Sequence, residues 1–83
     1  MRYYITFRSV TFAQRGERML RQSGVGCSLQ RTPKWMEERG CGYCLRVRPA
    51  DAMTAAQHLR EAGLHYSRAY AVREDGSIED RQL

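Results

Sequence analysis

Four short segments of the chain alternate apolar and polar residues or have strand-like composition. In the first, the apolar residues Tyr3, Ile5 and Phe7 fall on one side of an extended chain. A period of two with bulky apolar residues is typical of a half-buried strand. The pattern therefore predicts strands over residues 2–8, 25–32, 43–48 and 65–72.

Two longer segments have helical spacing instead. The first covers residues 10–23, where Ser9 is a predicted N-cap and Gly24 a natural stop. The second begins at Pro49, a residue favoured at the first helical position, and ends before Gly63. Its predicted apolar stripe consists of Ala52, Ala55, Ala56 and Leu59.

The order of elements is strand, helix, strand, strand, helix, strand. This order predicts an α+β, ferredoxin-like βαββαβ fold, with an antiparallel four-stranded sheet and two helices on one face. We expect the strand order 4-1-3-2 and a single domain over residues 1–72. Residues 73–83 form a polar C-terminal tail, which either frays or adds a hairpin at Asp75-Gly76.

Between Pro33 and Gly40, the stretch KWMEER is expected to make one or two helical turns, with Trp35 against the domain edge.

The sheet face away from the helices is predicted to be open unless a partner or a second copy covers it. A homodimer through this face is therefore one expectation. The residues assigned to this face are Tyr4, Thr6, Arg8, Cys44, Arg46 and Arg48.

Length and composition limit the function. A chain of 83 residues buries a modest core, so a deep enclosed active site is not expected. No apolar run approaches the roughly 20 residues that cross a bilayer, and the first residues lack the apolar core of a signal peptide. We therefore expect a cytoplasmic protein, without a membrane partner, whose three cysteines stay reduced.

The net charge of +5 comes almost entirely from arginine, with Lys34 as the single lysine. Arginine favours bidentate contacts to phosphate and other oxyanions, so the charge indicates either an anionic partner or a basic, solvated surface. The aromatic-rich strands of single-stranded RNA binders are missing, and nucleic acid is not the expected partner.

Cys41 has the features of a reactive thiol. It lies between Gly40 and Gly42, and the predicted topology brings it to the end of the sheet where Arg8 and Ser9 begin the first helix. A helix N-terminus and a guanidinium both favour the thiolate, which is the nucleophile. Residues 63–65, ending at His65, arrive at the same end.

The other cysteines differ. Cys27 is in phase with Val25 and Leu29 and is predicted to pack as a small core residue. Cys44 lies three residues after Cys41, so it would be the resolving thiol if the two work as a redox couple. A zinc site would need further ligands from His58 or His65; neither a metal nor a cofactor is predicted.

The stretches YYITFRSV, LRQSGVGCSLQRTP, RGCGYCLRV and LREAGLHYSRAY together resemble a small bacterial family of selenium/sulfur carrier-like proteins. Members open with a strand ending in Thr-Phe-x-Ser, here Thr6-Phe7-Arg8-Ser9, and later carry a Cys-Gly, here Cys41-Gly42. The resemblance covers residues 3 to about 70. Cys27 and Cys44 depart from it, because members more often have apolar residues there.

The resemblance implies that Cys41 holds sulfur or selenium as a persulfide-type adduct. Its partners would be a donor, such as a cysteine desulfurase, and an acceptor protein. The chain would then be a carrier rather than an enzyme with turnover of its own. Two alternatives stay open from the residues: a binding module that docks an anionic partner or self-associates, and a dithiol oxidoreductase that uses Cys41 and Cys44.

Overall fold

A computed structural model describes residues 1–33, 42–81 and 83 of the chain. It is a mixed α+β structure in which two helices pack on an antiparallel sheet. A short 3-10 turn, Pro49–Asp51, leads into the second helix. The elements are β1 (Arg2–Thr6), α1 (Val10–Gln22), β2 (Cys27–Arg31), β3 (Tyr43–Val47), α2 (Ala52–Glu61), β4 (Arg68–Val72) and β5 (Ile78–Arg81).

The sheet has five described strands in the order β2-β3-β1-β4-β5, and every neighbouring pair is antiparallel. The prediction of four strands is therefore wrong. The fifth strand comes from the polar C-terminal segment, where the alternative hairpin forms. Gly76 has a φ of +87°, which glycine tolerates best, and the Asp75 side chain accepts a hydrogen bond from the Ser77 amide at 2.9 Å.

Helix α1 begins and ends where the sequence predicts. The Ser9 hydroxyl oxygen accepts a hydrogen bond from the Phe12 amide at 3.3 Å, which caps the N-terminus. At the other end Gly24 has a φ of +83°, and the chain turns into β2. Gly16 faces the core, and its lack of a side chain lets α1 approach the sheet closely.

The core lies between the helices and one sheet face. Helix α2 buries the four residues of the predicted apolar stripe. They meet side chains from the central strands and from α1, and Phe7, Leu20 and Leu45 are among the largest fully buried ones. Both helices therefore cover the same face of the sheet.

The second face of the sheet is not open, contrary to the prediction. Tyr4, Cys44, Tyr70 and Val72 form a separate buried cluster there, with exposures between 0% and 8%. Pro33 lines a cleft together with Tyr4 and Val72. The arginines assigned to this face remain exposed: Arg8, Arg46 and Arg48.

Several predictions fall on residues 34–41, outside the described residues. They are the helical turns of KWMEER, the packing of Trp35 and the exposure of Cys41. Within the described ranges, no helix is both long enough and apolar enough to span a membrane.

Candidate functional site

The start of β3 lies between the ends of its two neighbours. On one side Cys44 pairs with Thr6, the last residue of β1. On the other side Tyr43 pairs with Arg31, the last residue of β2, and the Thr32 amide donates a hydrogen bond to the Gly42 carbonyl at 2.7 Å. Gly42, the chain neighbour of Cys41, is thus fixed at this end of the sheet, which we call the β3-start end.

Arg8 and the N-terminus of α1 belong to the same end. Arg8 follows Thr6 by two residues and is exposed, without an ion pair among the described residues. Helix α1 has no acidic residue in its first turn, so the partial positive charge of its N-terminus is not offset there. The fold therefore brings Arg8, Ser9 and Gly42 to the same end of the sheet, while the meeting of Arg8 and Ser9 with Cys41 stays a prediction.

A cleft of about 390 Å³ lies beside Arg8. Residues between α2 and β4 form its other wall, including Gly63, His65 and Ser67. The Ser67 amide donates a hydrogen bond to the Thr6 carbonyl at 2.7 Å, which fixes this connection against the end of β1. The prediction that residues 63–65 reach this end of the sheet is confirmed, and none of the described residues that line the cleft is acidic.

Sequence reasoning missed Arg31 at this end. Its guanidinium lies over the Tyr43 ring, 5.6 Å from the ring centroid, one residue from Gly42 along β3. Such a contact orients the guanidinium without neutralising its charge. The signal was available in the antiparallel pairing of β2 with β3, which brings the ends of the two strands together.

Cys44 lies on the second sheet face and is fully buried, with 0% exposure. Its register partners are Thr6 on β1 and Gln30 on β2. In this conformation solvent does not reach its sulfur. Cys44 could act as a resolving thiol only after a rearrangement that exposes the sulfur.

Cys27 packs toward α1, as predicted, and is half-buried. Its sulfur lies 3.8 Å from the Glu17 carbonyl oxygen, and the Arg21 guanidinium donates to the Cys27 carbonyl at 3.0 Å. Burial raises the pKa of the Cys27 thiol above its ordinary value, although the nearby Arg21 charge works in the other direction. These surroundings indicate a packed thiol rather than an activated one.

Cys41 lies outside the described residues, so its exposure and surroundings stay predictions. In the described part of the chain, no group of three or more His, Cys, Asp or Glu side chains could hold a metal ion.

The model of a family described as "Putative Se/S carrier protein-like" matches residues 2–71, which is most of the chain and includes all three cysteines. No curated protein and no solved structure matches the chain.

Proposed function

Because the chain belongs to the Se/S carrier-like family, we propose that it carries sulfur or selenium on Cys41 and passes the atom from a donor to an acceptor. The observation that carries this proposal is the family match over residues 2–71. Cys41 is the candidate because Cys44 is fully buried and Cys27 packs against α1. Arg8 and the helix start at Ser9 assist it by charge.

The loading step is a thiol exchange. The Cys41 thiolate attacks the terminal sulfur of a persulfide on the donor, the donor's S–S bond breaks, and the donor cysteine leaves as a thiolate. A new S–S bond then links Cys41 to the transferred sulfur, with no net oxidation or reduction. Selenium transfer follows the same balance with an S–Se bond. Delivery is the reverse reaction toward an acceptor nucleophile.

The charge of the β3-start end suits this chemistry. Arg8, Arg31 and the start of α1 each contribute positive charge at the β3-start end, and both the free thiolate and its persulfide are anions. A lower thiol pKa raises the fraction of nucleophile at neutral pH. The donor would be a persulfide-bearing protein such as a cysteine desulfurase, in a reducing compartment such as the cytoplasm.

We propose further that the strands β4-β1-β3-β2, with both helices on one face, form a ferredoxin-like unit. Strand β5 is then an addition at one edge of that unit. The burial of Tyr4, Cys44 and Tyr70 on the second face disfavours the self-association included in the binding-module alternative.

The direct test is mass spectrometry of the intact protein after incubation with a cysteine desulfurase and cysteine. We expect a mass increase of one sulfur atom, reversible by a thiol reductant, on the wild type and on Cys27→Ser. Cys41→Ser should gain none. No adduct on the wild type, or an undiminished adduct on Cys41→Ser, would contradict the proposal.

A second test addresses the role of charge. In a Cys27→Ser, Cys44→Ser background, the thiolate absorbance of Cys41 is titrated with and without Arg8→Gln. Loss of this guanidinium should raise the thiol pKa and slow adduct formation. Arg15→Gln is the matched control, because it removes the same charge from an exposed position in the middle of α1. Equal pKa values of the Cys41 thiol in Arg8→Gln and Arg15→Gln would show that Arg8 does not act on this thiol.

A further inference from the structure

A larger cleft, of about 590 Å³, lies at the opposite end of β3 from Gly42. The two ends of this strand, Tyr43 and Val47, are roughly 13 Å apart at about 3.3 Å a residue. Three of the described arginines line the cleft: Arg2 on β1, Arg46 on β3 and Arg48 directly after β3. We call it the arginine cleft.

The charges of the arginine cleft are only partly balanced. Arg48 binds Asp51 through two nitrogens, at 2.8 Å and 3.0 Å, which leaves three of its five N–H groups for another acceptor. Among the described residues, Arg2 and Arg46 make no ion pair, and Arg2 lies over the Tyr4 ring at 6.0 Å. None of the described residues that line the cleft is acidic, and with Asp51 beside Arg48 the three guanidinium groups outnumber the described carboxylates by two.

Polar groups of β2 complete the wall. Ser28 is the register partner of Arg46, and Gln30 follows it on the same face. Gly26 also lines the cleft, and the space beside it is open, because a Cβ placed there would meet nothing within 4 Å. Hydroxyl, amide and guanidinium donors therefore face one concave surface.

We infer that the arginine cleft binds the phosphate group of a small molecule. A phosphate offers up to two negative charges and several acceptor oxygens, which matches an excess of two guanidinium groups over carboxylates, supplied from more than one part of the sheet. A carboxylate has one charge and two oxygens, so it would leave some of the guanidinium donors of the cleft without an acceptor. The volume is that of a small-ligand site.

Nucleic acid is the poorer match for this surface. Binding of single strands relies on aromatic rings that stack on the bases. The tyrosines of this sheet face, Tyr4 and Tyr70, are 6% and 8% exposed and offer no free ring face of useful size.

The test is an NMR titration of the full chain with sodium phosphate at constant ionic strength, with sodium chloride as the blank. We expect saturable shifts confined to the amides of residues 26–28 and 46–48. Adenosine monophosphate should shift the same amides and adenosine should not. Tighter binding of the monophosphate than of phosphate assigns a phosphate ester as the ligand, whereas equal binding assigns free phosphate.

Two variants make the test specific. Arg46→Gln should weaken phosphate binding about tenfold, the value of one charge-assisted hydrogen bond. Ser28→Glu keeps every arginine, places a carboxylate opposite Arg46, and should abolish binding. The control is the double variant Arg15→Gln, Arg18→Gln, which removes more charge from exposed positions of α1 and should leave affinity unchanged.

Three results would overturn the inference: shifts that do not saturate, equal affinities in Arg46→Gln and the control, or binding of an oligonucleotide that phosphate does not displace. The site is independent of Cys41. Cys41→Ser should keep phosphate binding, and Arg46→Gln should keep the sulfur adduct, so the two proposals fail separately.

Discussion

Cys44 on β3 lies directly opposite Thr6 on β1, and both side chains are buried on the sheet face away from the helices. We therefore expect Cys44 to react with iodoacetamide more slowly than half-buried Cys27 in the native Cys41→Ser variant. Timed labelling followed by peptide mass spectrometry measures both rates, and in denaturant the rates should converge. Equal rates in the native protein would mean that the second face opens as fast as labelling occurs.

Cys27 should make stability depend on pH in the alkaline range. Burial raises its pKa in the folded chain above the unfolded value. Up to about pH 8 both states keep the proton. At higher pH the thiol of the unfolded chain loses its proton before the thiol of the folded chain does. The free energy of unfolding therefore falls as the pH rises through the pKa of Cys27 in the folded chain.

Urea unfolding of the wild type and of Cys27→Ser, at about pH 7 and about pH 10, measures this effect. The wild type should lose more stability than the variant between the two pH values. A constant difference between the two proteins would mean that Cys27 does not contribute.

Gly16 should not tolerate alanine. An added Cβ would lie 3.1 Å from Phe7, 3.2 Å from Leu59 and 3.3 Å from Leu45, and all three side chains are fully buried. Overpacking of this kind costs about 1–3 kcal/mol, whereas the gain in helix propensity is at most about 1 kcal/mol. We expect Gly16→Ala to lower the free energy of unfolding by about 1–2 kcal/mol in urea.

Gly26→Ala is the matched control, because its added Cβ meets nothing within 4 Å and its φ is not positive. It should be neutral or stabilise the fold by up to about 1 kcal/mol. If both variants behaved alike, the close approach of α1 to the sheet would not be what requires glycine at position 16.

Ser9→Ala should destabilise the fold by about 1 kcal/mol, because the Phe12 amide loses its capping acceptor. Ser9→Asp keeps an N-cap and should leave stability close to that of the wild type. It also adds negative charge next to Arg8, so in the thiolate titration it should raise the pKa of Cys41. Unchanged stability in Ser9→Ala would show that water replaces the cap at no cost.

Much of the helical layer could be predicted from the sequence because its signals are local. The cap at Ser9, the stop at Gly24 and the alanine stripe of α2 each depend on residues a few positions apart. The face that Cys44 occupies also followed from alternation along β3. Strands β2 and β4 are shorter than the predicted ranges, 25–32 and 65–72, because the strand-like sequence pattern continues beyond the residues that form the strands.

The second sheet face could not be predicted in the same way. Alternation along a strand gives the face that a side chain occupies but not what covers that face, so the burial of Tyr4, Cys44 and Tyr70 could not be derived from it. The arginine cleft was missed for a related reason. Arg46 and Arg48 were assigned to an open surface, while Arg2 joins them only through the pairing of Tyr3 with Val47.

The hairpin that adds β5 changes how the sheet meets other molecules. Without it, the unpaired backbone of β4, with the sequence RAYAV, would be a template for further strands. Strand β5 replaces that border with a four-residue strand that carries Glu79, Asp80 and Arg81. Charge on a short edge strand opposes edge-to-edge pairing between molecules. Removal of residues 78–81 should therefore make the protein aggregate, which light scattering would detect as an increase in particle size.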